Sequence, residues 1–233
     1  MEEPLRDRVA RVLDRVARAA SRSGRTAESI RLVAVSKTHP VERVAEAYEA
    51  GLRVFGENYV REAEEKVRAV PDAEWHLIGK LQANKVRKAV SLFGWIQAID
   101  SPRLLAEISR RCIEAGKTLP VLVEVNLAGE GSKAGIPPEE VQALLSSAAA
   151  LPGVRVRGLM AIPPMTEDPE GSRPYFVRLR ELLDRCASTG GAVGEMTELS
   201  MGMSSDFEAA IEEGATMVRV GTAIFGSRAR RAG

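Results

Sequence analysis

The stretch Leu32-Val33-Ala34-Val35-Ser36-Lys37-Thr38-His39-Pro40, LVAVSKTHP, decides how the rest of the chain is read. Its short apolar run, closed by Pro40 and followed by a helical pattern, predicts a buried strand. Lys37 then stands at the strand exit. An ammonium group fixed there, partly out of water, is poised to lose its proton and attack a carbonyl, which is the chemistry of Schiff-base lysines. A lysine at a strand end can also simply extend its charge to solvent along its aliphatic stem. Which of the two holds turns on what the other strands carry.

Outward from this stretch, strand and helix patterns alternate. Upstream, Leu5, Val9, Val12, Leu13 and Val16 recur at helical spacing and predict an amphipathic helix over 4–22 that ends near Gly24. Downstream, the patterns predict strands over 53–57, 75–78, 95–99, 120–126, 154–162, 195–201 and 216–220. Helices are predicted over 41–50, 59–69, 84–90, 101–116, 137–150, 172–187 and 206–213. With the strand that starts at Arg31, this gives roughly eight strand–helix units, the number that closes a (β/α)8 barrel. Even spacing without a long polar linker predicts an α/β fold in one domain over 1–233, a single TIM barrel with an extra N-terminal helix. An open doubly wound sheet would need a Gly-rich turn after the first strand, where the chain has Ser36-Lys37-Thr38.

Composition excludes several function classes. Lys+Arg number 33 against 32 Asp+Glu, a net charge of +1 that gives no electrostatic reason for nucleic acid or membrane partners. The arginines of the opening helix are interleaved with acidic and apolar residues, as on a solvated face, and the basic tail from Arg228 to Arg231 is short. Cys112 and Cys186 fall in separate helical patterns and His39 and His76 are not spaced as a zinc pair, so a reduced, cytoplasmic protein without a metal site is expected. No apolar run approaches the ~20 residues of a membrane span, and charges run through 1–20 where a signal peptide would be apolar.

In a barrel of this kind active groups collect where the strands end. Those ends carry Lys37, Asn58, Gly79-Lys80, Asn126, Met160 to Pro164, Ser200 and the run Arg219-Val220-Gly221-Thr222; a glycine-rich loop with Gly129, Gly131 and Gly135 follows Asn126. Val218 and Val220 share one side of the last strand, so the two-residue period turns Arg219 inward. A guanidinium inside a barrel mouth needs an anion or strong acceptor. That partner could be a ligand or a structural carboxylate such as Glu57 or Glu198. Gly221-Thr222 opens a short helical pattern whose backbone N–H groups suit a phosphate, with Ser200 and Ser204 nearby, although the pair could also be a plain turn. A phosphate cradle beside an imine-forming lysine suits a ligand with both a phosphate and an aldehyde; pyridoxal 5'-phosphate (PLP) fits, with Lys37 as the aldehyde's partner and Arg219 near the ring. Lys80 and Lys133 are the next candidates for the imine.

Together LVAVSKTHP, FGENYVRE, WHLIGKLQANK, ELSMGMSSDFEAAI and MVRVGTAIFG resemble the YggS/PROSC family of pyridoxal-phosphate homeostasis proteins over essentially the whole chain. The resemblance implies a barrel of the alanine racemase N-terminal type and a Schiff-base cofactor on Lys37. It further implies Asn58 near the cofactor, phosphate held by the Ser200 and Gly221-Thr222 segments, and Arg219 facing the pyridine nitrogen. The family shows a His-Ser pair before the aspartate that ends strand four, where this chain has Gln97-Ala98-Ile99-Asp100.

Two functions from different classes compete. One is a cytoplasmic carrier that holds PLP as an imine and buffers it or releases it to PLP-dependent apo-enzymes, expected as a monomer rather than a dimer. The other is a PLP-dependent amino-acid racemase. Racemisation needs a second acid or base on the face opposite the lysine. In alanine racemases a separate C-terminal domain supplies that tyrosine, and here the chain stops a dozen residues after Gly221. Tyr48, Tyr59 and Tyr175 all fall in helical stretches, and His39 sits beside the lysine turn. An arginine at the pyridine nitrogen also leaves the ring a weak electron sink. A Schiff-base aldolase ranks third, because it offers Arg219 no role. The expectation is the carrier.

Overall fold

In a computed structural model, which describes residues 3–129, 134–188 and 195–226, every predicted strand forms and pairs in parallel with the next. Gly131, Lys133 and the tail from Arg228 to Arg231 lie outside the described residues. The strands are β1 (Arg31–Val35), β2 (Val54–Glu57), β3 (Glu74–Leu77), β4 (Trp95–Ile99), β5 (Leu119–Glu124), β6 (Val154–Met160), β7 (Glu198–Ser200) and β8 (Met217–Val220). β8 closes on β1, with Leu32 opposite Val218 and Ala34 opposite Val220, so the sheet is a closed eight-stranded barrel. Helices α2 (Val41–Glu49), α3 (Val60–Ala69), α4 (Val86–Leu92), α5 (Pro102–Glu114), α6 (Val141–Ala148), α7 (Arg173–Ser188) and α8 (Phe207–Glu212) make the crossovers. The start of α5 follows from Ser101-Pro102: the serine Oγ accepts from Leu104 N at 3.3 Å and the proline occupies the first turn.

Among the described residues, β8 is followed by the four-residue α9 (Thr222–Phe225), too short to cover the β8–β1 seam. The N-terminal helix α1 (Leu5–Arg22) takes that place, packing against α8, α9 and α2. Its Leu5, Val9, Val12 and Val16 are buried as their spacing predicts, whereas Leu13 is 43% exposed because the inward stripe continues through Ala19 and Ala20 instead. Ion pairs from Arg15 to Glu208 at 2.7 Å and from Arg22 to Glu212 at 2.6 Å tie it to α8.

The predicted bounds shift where the backbone bends. Residues 195–201 read as one strand, but β7 keeps only Glu198–Ser200. Gly202 there turns to φ 87, and a Cβ on it would lie 2.5 Å from that of Ala210. The helices predicted from Asn84 and Pro137 begin later, at Val86 and Val141, each after a single 3-10 turn.

Two layers of side chains fill the structure. Outside the barrel wall, Phe55, Phe93, Phe176, Phe207, Leu105 and Ile108 pack between strands and helices. Inside, Ala98, Leu122, Met160 and Met217 form a small apolar plug over Trp95. His76, Gln97, Ser200, Glu124 and Arg219 are also buried. Polar groups at that depth are tolerated only when bonded to one another, and they are the start of the site.

Candidate functional site

Lys37 follows β1 by two residues and is half-buried. The register sets Val33 opposite Arg219 and Ala34 opposite Val220, so the end of β1 runs along the end of β8. A Cβ on Gly221 would come within 3.2 Å of the Val35 carbonyl, which places the Gly221 turn directly against the approach to Lys37. The turn that carries Lys37 holds Thr38 at φ 68, the left-handed region that a β-branched residue rarely adopts. Its N–H donates to Glu62 Oε1 at 2.5 Å. His39 stacks its ring on Phe225 at 5.0 Å and so ties the same turn to α9.

A buried ionic cluster backs this turn. Lys66 Nζ donates to the Ser36 carbonyl, to Glu57 Oε1 and to Glu62 Oε1, each at 2.7 Å. Ser36 Oγ donates to Glu57 Oε1 at 2.6 Å. Burial raises the Glu57 carboxyl against the pull of Lys66, and its Oε2 has no hydrogen-bond partner. Glu57 faces α3 outside the wall, so it is not the partner of Arg219. Glu198 is not either: its carboxylate accepts from Thr216 Oγ1 at 2.7 Å.

Arg219 is turned into the barrel as the two-residue period predicts. Its Nη1 donates to Ser200 Oγ at 2.6 Å and its Nη2 to the Ala161 carbonyl at 2.9 Å, the latter from the end of β6. Burial lowers its pKa to about 10, while Glu124 and Asp206 act in the opposite direction through space. Ser200 Oγ in turn donates to Gln97 Oε1 at 2.6 Å. Gln97 Nε2 lies 2.7 Å from His76 Nδ1, and His76 Nε2 lies 2.5 Å from Glu74 Oε1. Ser200 is thus wholly buried beneath Arg219, and the hydroxyl on the Gly221 side is that of Ser204, whose Oγ accepts from the N–H groups of Gly221 and Ala223, both at 3.2 Å. Thr222 is exposed on the same side.

Asn58 is half-buried at the end of β2. Gly79 presses on it so closely that a Cβ there would sit 2.6 Å from the Asn58 carbonyl oxygen, so only glycine fits. Lys80 is 70% exposed and lies 3.5 Å from Asp100, an open position that suits an imine lysine less well than that of Lys37. Asn126 shapes its own loop, its Oδ1 accepting from Gly129 N at 3.1 Å.

The sequence reading passed over three residues of this site. Glu124, buried on β5, has its carboxyl pushed up to about 7 by burial, with Arg219 and Lys80 pulling it down and Asp100 pushing it further up. Its signal was available: a lone carboxylate in the apolar run Pro120 to Asn126. Gln97 and His76 likewise stand among apolar neighbours on β4 and β3. The arrangement can hold an anion beside a cationic floor, with a lysine at the edge to bond covalently. Donor chemistry on one side, a close glycine turn beside it and a wall lysine fit a phosphorylated aldehyde such as PLP.

The model of the alanine racemase N-terminal domain family matches residues 10–229. A pyridoxal phosphate homeostasis protein of Aquifex aeolicus is 45% identical over 224 residues, which are 95% of this chain and 97% of the relative. A protein of the same description from Escherichia coli K12 is 43% identical over 225 residues, 94% of this chain and 95% of the relative. The solved structure of PipY from Synechococcus elongatus with PLP bound superposes with a TM-score of 0.81 at 40% identity, covering 91% of this chain and 100% of PipY. On barrel, motifs and relatives alike, the chain belongs to the family of pyridoxal phosphate homeostasis proteins.

Proposed function

We propose that the protein binds PLP in the barrel mouth, holds it as a Schiff base on Lys37, and buffers or delivers it without catalytic turnover. The observation that supports this reading is the alignment of β1 with β8, which pairs Val33 with Arg219 and brings the Gly221 turn against Val35, two residues before Lys37. When bound, the cofactor supplies an aldehyde that condenses reversibly with an amine. Lys37 is the residue for that bond, Asn58 flanks it, and the Gly221-Thr222 backbone with Ser204 faces the phosphate. Arg219 faces the ring, and Ser200 holds Arg219 from below. A lysine or amino acid entering the mouth would displace Lys37 and release the cofactor to an apo-enzyme.

The acid–base groups favour the absence of turnover. Arg219 cannot protonate a pyridine nitrogen as a carboxylic acid would, which restrains carbanion chemistry. Of the three tyrosines, Tyr59 is 61% exposed, Tyr48 lies beneath the Arg53 guanidinium at 4.3 Å, and Tyr175 packs on the outer core. None is offered as a second base. Two buried cysteines, Cys112 and Cys186, fit a reducing compartment, and among the described residues no helix is long and apolar enough to cross a membrane; we place the protein in the cytoplasm, as a monomer.

Borohydride reduction of the loaded protein followed by peptide mapping tests the reading. A pyridoxyl-phosphate mass on the Lys37 peptide is expected, and Lys37→Ala should lose it while retaining weakened binding through the phosphate. An adduct on Lys80 or spread over surface lysines would overturn the assignment. Rapid, Lys37-dependent turnover of any amino acid would sink the carrier reading and leave the racemase.

A further inference from the structure

The buried bonds between Arg219 and Glu74 run in one direction. Gln97 Nε2 faces two groups, His76 Nδ1 at 2.7 Å and the Met217 sulfur at 3.6 Å. A thioether sulfur can only accept, so the amide nitrogen belongs on that side and the amide oxygen faces Ser200. The Ser200 hydroxyl then donates to Gln97 and accepts from Arg219. Because Gln97 donates to His76 Nδ1, that nitrogen carries no proton. The imidazole proton sits on Nε2 and is donated to Glu74. Every donor in the series points away from Arg219.

We propose that Gln97 and His76 are positioning residues for Arg219, forming with Ser200 a one-way hydrogen-bond relay that fixes the guanidinium plane and leaves its remaining N–H groups for the ligand ring. A guanidinium has five N–H donors, and the Ser200 and Ala161 contacts engage two of them. The ligand assignment rests on the PLP reading above, while the relay itself does not. The relay requires a neutral His76. Its surroundings favour that form on balance: burial disfavours the charged ring and Arg31 on β1 opposes it, against Glu74 on the same strand and Glu198 on β7. Trp95 on β4 stacks on the ring at 5.5 Å, and Arg31 lies over Trp95, closing this end of the barrel.

The substitutions at Gln97 follow from what each side chain can donate and accept. An imidazole can accept on one nitrogen and donate from the other, so Gln97→His preserves the direction. A carboxylate can only accept, so Gln97→Glu forces a proton onto His76 Nδ1. A leucine does neither, so Gln97→Leu leaves the Ser200 hydroxyl without its acceptor.

Nitrogen-15 NMR of the cofactor-free protein reads the His76 tautomer directly, with His39→Asn assigning the two rings. The Nε2–H neutral form is expected at neutral pH. An Nδ1–H tautomer or an imidazolium there overturns the relay, whatever the protein binds. In the loaded protein, Gln97→Leu should weaken PLP binding about tenfold, the effect of one well-placed hydrogen bond, and shift the visible band of the bound cofactor. Gln97→His should restore both, and Gln97→Glu should show a doubly protonated His76. A Gln97→His protein as impaired as Gln97→Leu would overturn the proposal; should Gln97→Glu fail to fold, the wild-type tautomer and the His–Leu contrast still decide. Loss of the Lys37 adduct with the tautomer intact would instead count against the PLP reading alone.

Discussion

Behind Lys37 the barrel wall carries a full ion cluster, Lys66 between Glu57 and Glu62, bonded through Ser36 and the Thr38 N–H to the turn itself. Behind Arg219 it carries neutral groups: a serine hydroxyl, a main-chain carbonyl, an amide and an imidazole. The difference follows from what each corner must present. On the PLP reading Lys37 has to be held as a backbone position, and charges outside the wall can clamp the turn without touching a ligand. On the same reading Arg219 has to present its charge inward to the ring, and a carboxylate bonded to it would cancel that charge. Neutral acceptors fix its geometry and leave the charge. Its nearest acidic influences, Glu124 and Asp206, act only through space.

The comparison breaks first at Lys66. Lys66→Met strands two acidic groups, one of them wholly buried, and should cost about 3–5 kcal/mol of stability in urea unfolding. Adding Glu57→Gln should recover part of the loss, since the two act as one unit. A loss below about 1 kcal/mol would mean that the cluster is hydrated and clamps nothing.

Glu124 comes next, and its effect depends on pH. A carboxyl raised from 4.5 to about 7 binds its proton more tightly in the folded chain than in the unfolded one. The native state is therefore favoured at low pH and loses that advantage as pH rises through this window, by about 3 kcal/mol at most. Glu124→Gln should remove the dependence, so that the variant matches the wild type near pH 5 and exceeds it near pH 8. Equal unfolding midpoints for variant and wild type at both pH values would show that Arg219 already holds Glu124 ionised, and the corner would then be an ion pair after all.

Arg219→Met sharpens the contrast with Lys66. It removes a charge whose bonded partners are all neutral, so stability should fall by only about 1–2 kcal/mol, the cost of the Ser200 and Ala161 bonds. PLP binding should fall far more than folding. A loss as large as that of Lys66→Met would mark Arg219 as part of the frame rather than of the site.

How much of this was legible in the sequence divides along the same line. Lys37 could be read as a charge at the exit of a short apolar run, and Arg219 as one inside such a run, where the two-residue period turns it inward. The barrel could be read because the units repeat evenly. Lys66 could not: on the charged pattern 59–69 it looks like any solvated lysine, yet it is 3% exposed. Nor could the relay, whose links join Gln97 to His76 21 residues away and to Ser200 103 residues away. Such pairings exist only once β3, β4, β7 and β8 close a common interior. Ser200 shows the limit: its strand-end position is legible, but that its hydroxyl points down to Gln97 depends on the length of β7, which ends where Gly202 turns.

The smallest effect concerns the strain at Thr38, in the Lys37 corner. Among the described residues it is the one non-glycine with positive φ, a conformation that costs a β-branched residue about 1–3 kcal/mol. Glycine adopts that φ freely but loses up to about 1 kcal/mol of chain entropy on folding. Thr38→Gly should therefore leave stability unchanged or raise it by about 1 kcal/mol, where glycine in an unstrained position would lower it. The main-chain bond to Glu62 survives the change, since it uses the Thr38 N–H. If the strained turn is what holds Lys37 toward the mouth, the more permissive glycine should slow borohydride-trappable adduct formation several-fold while the protein stays fully folded. Unchanged trapping would assign the positioning of Lys37 to the Lys66 cluster alone, and a fall in stability would show that Thr38 makes packing contacts worth more than its strain.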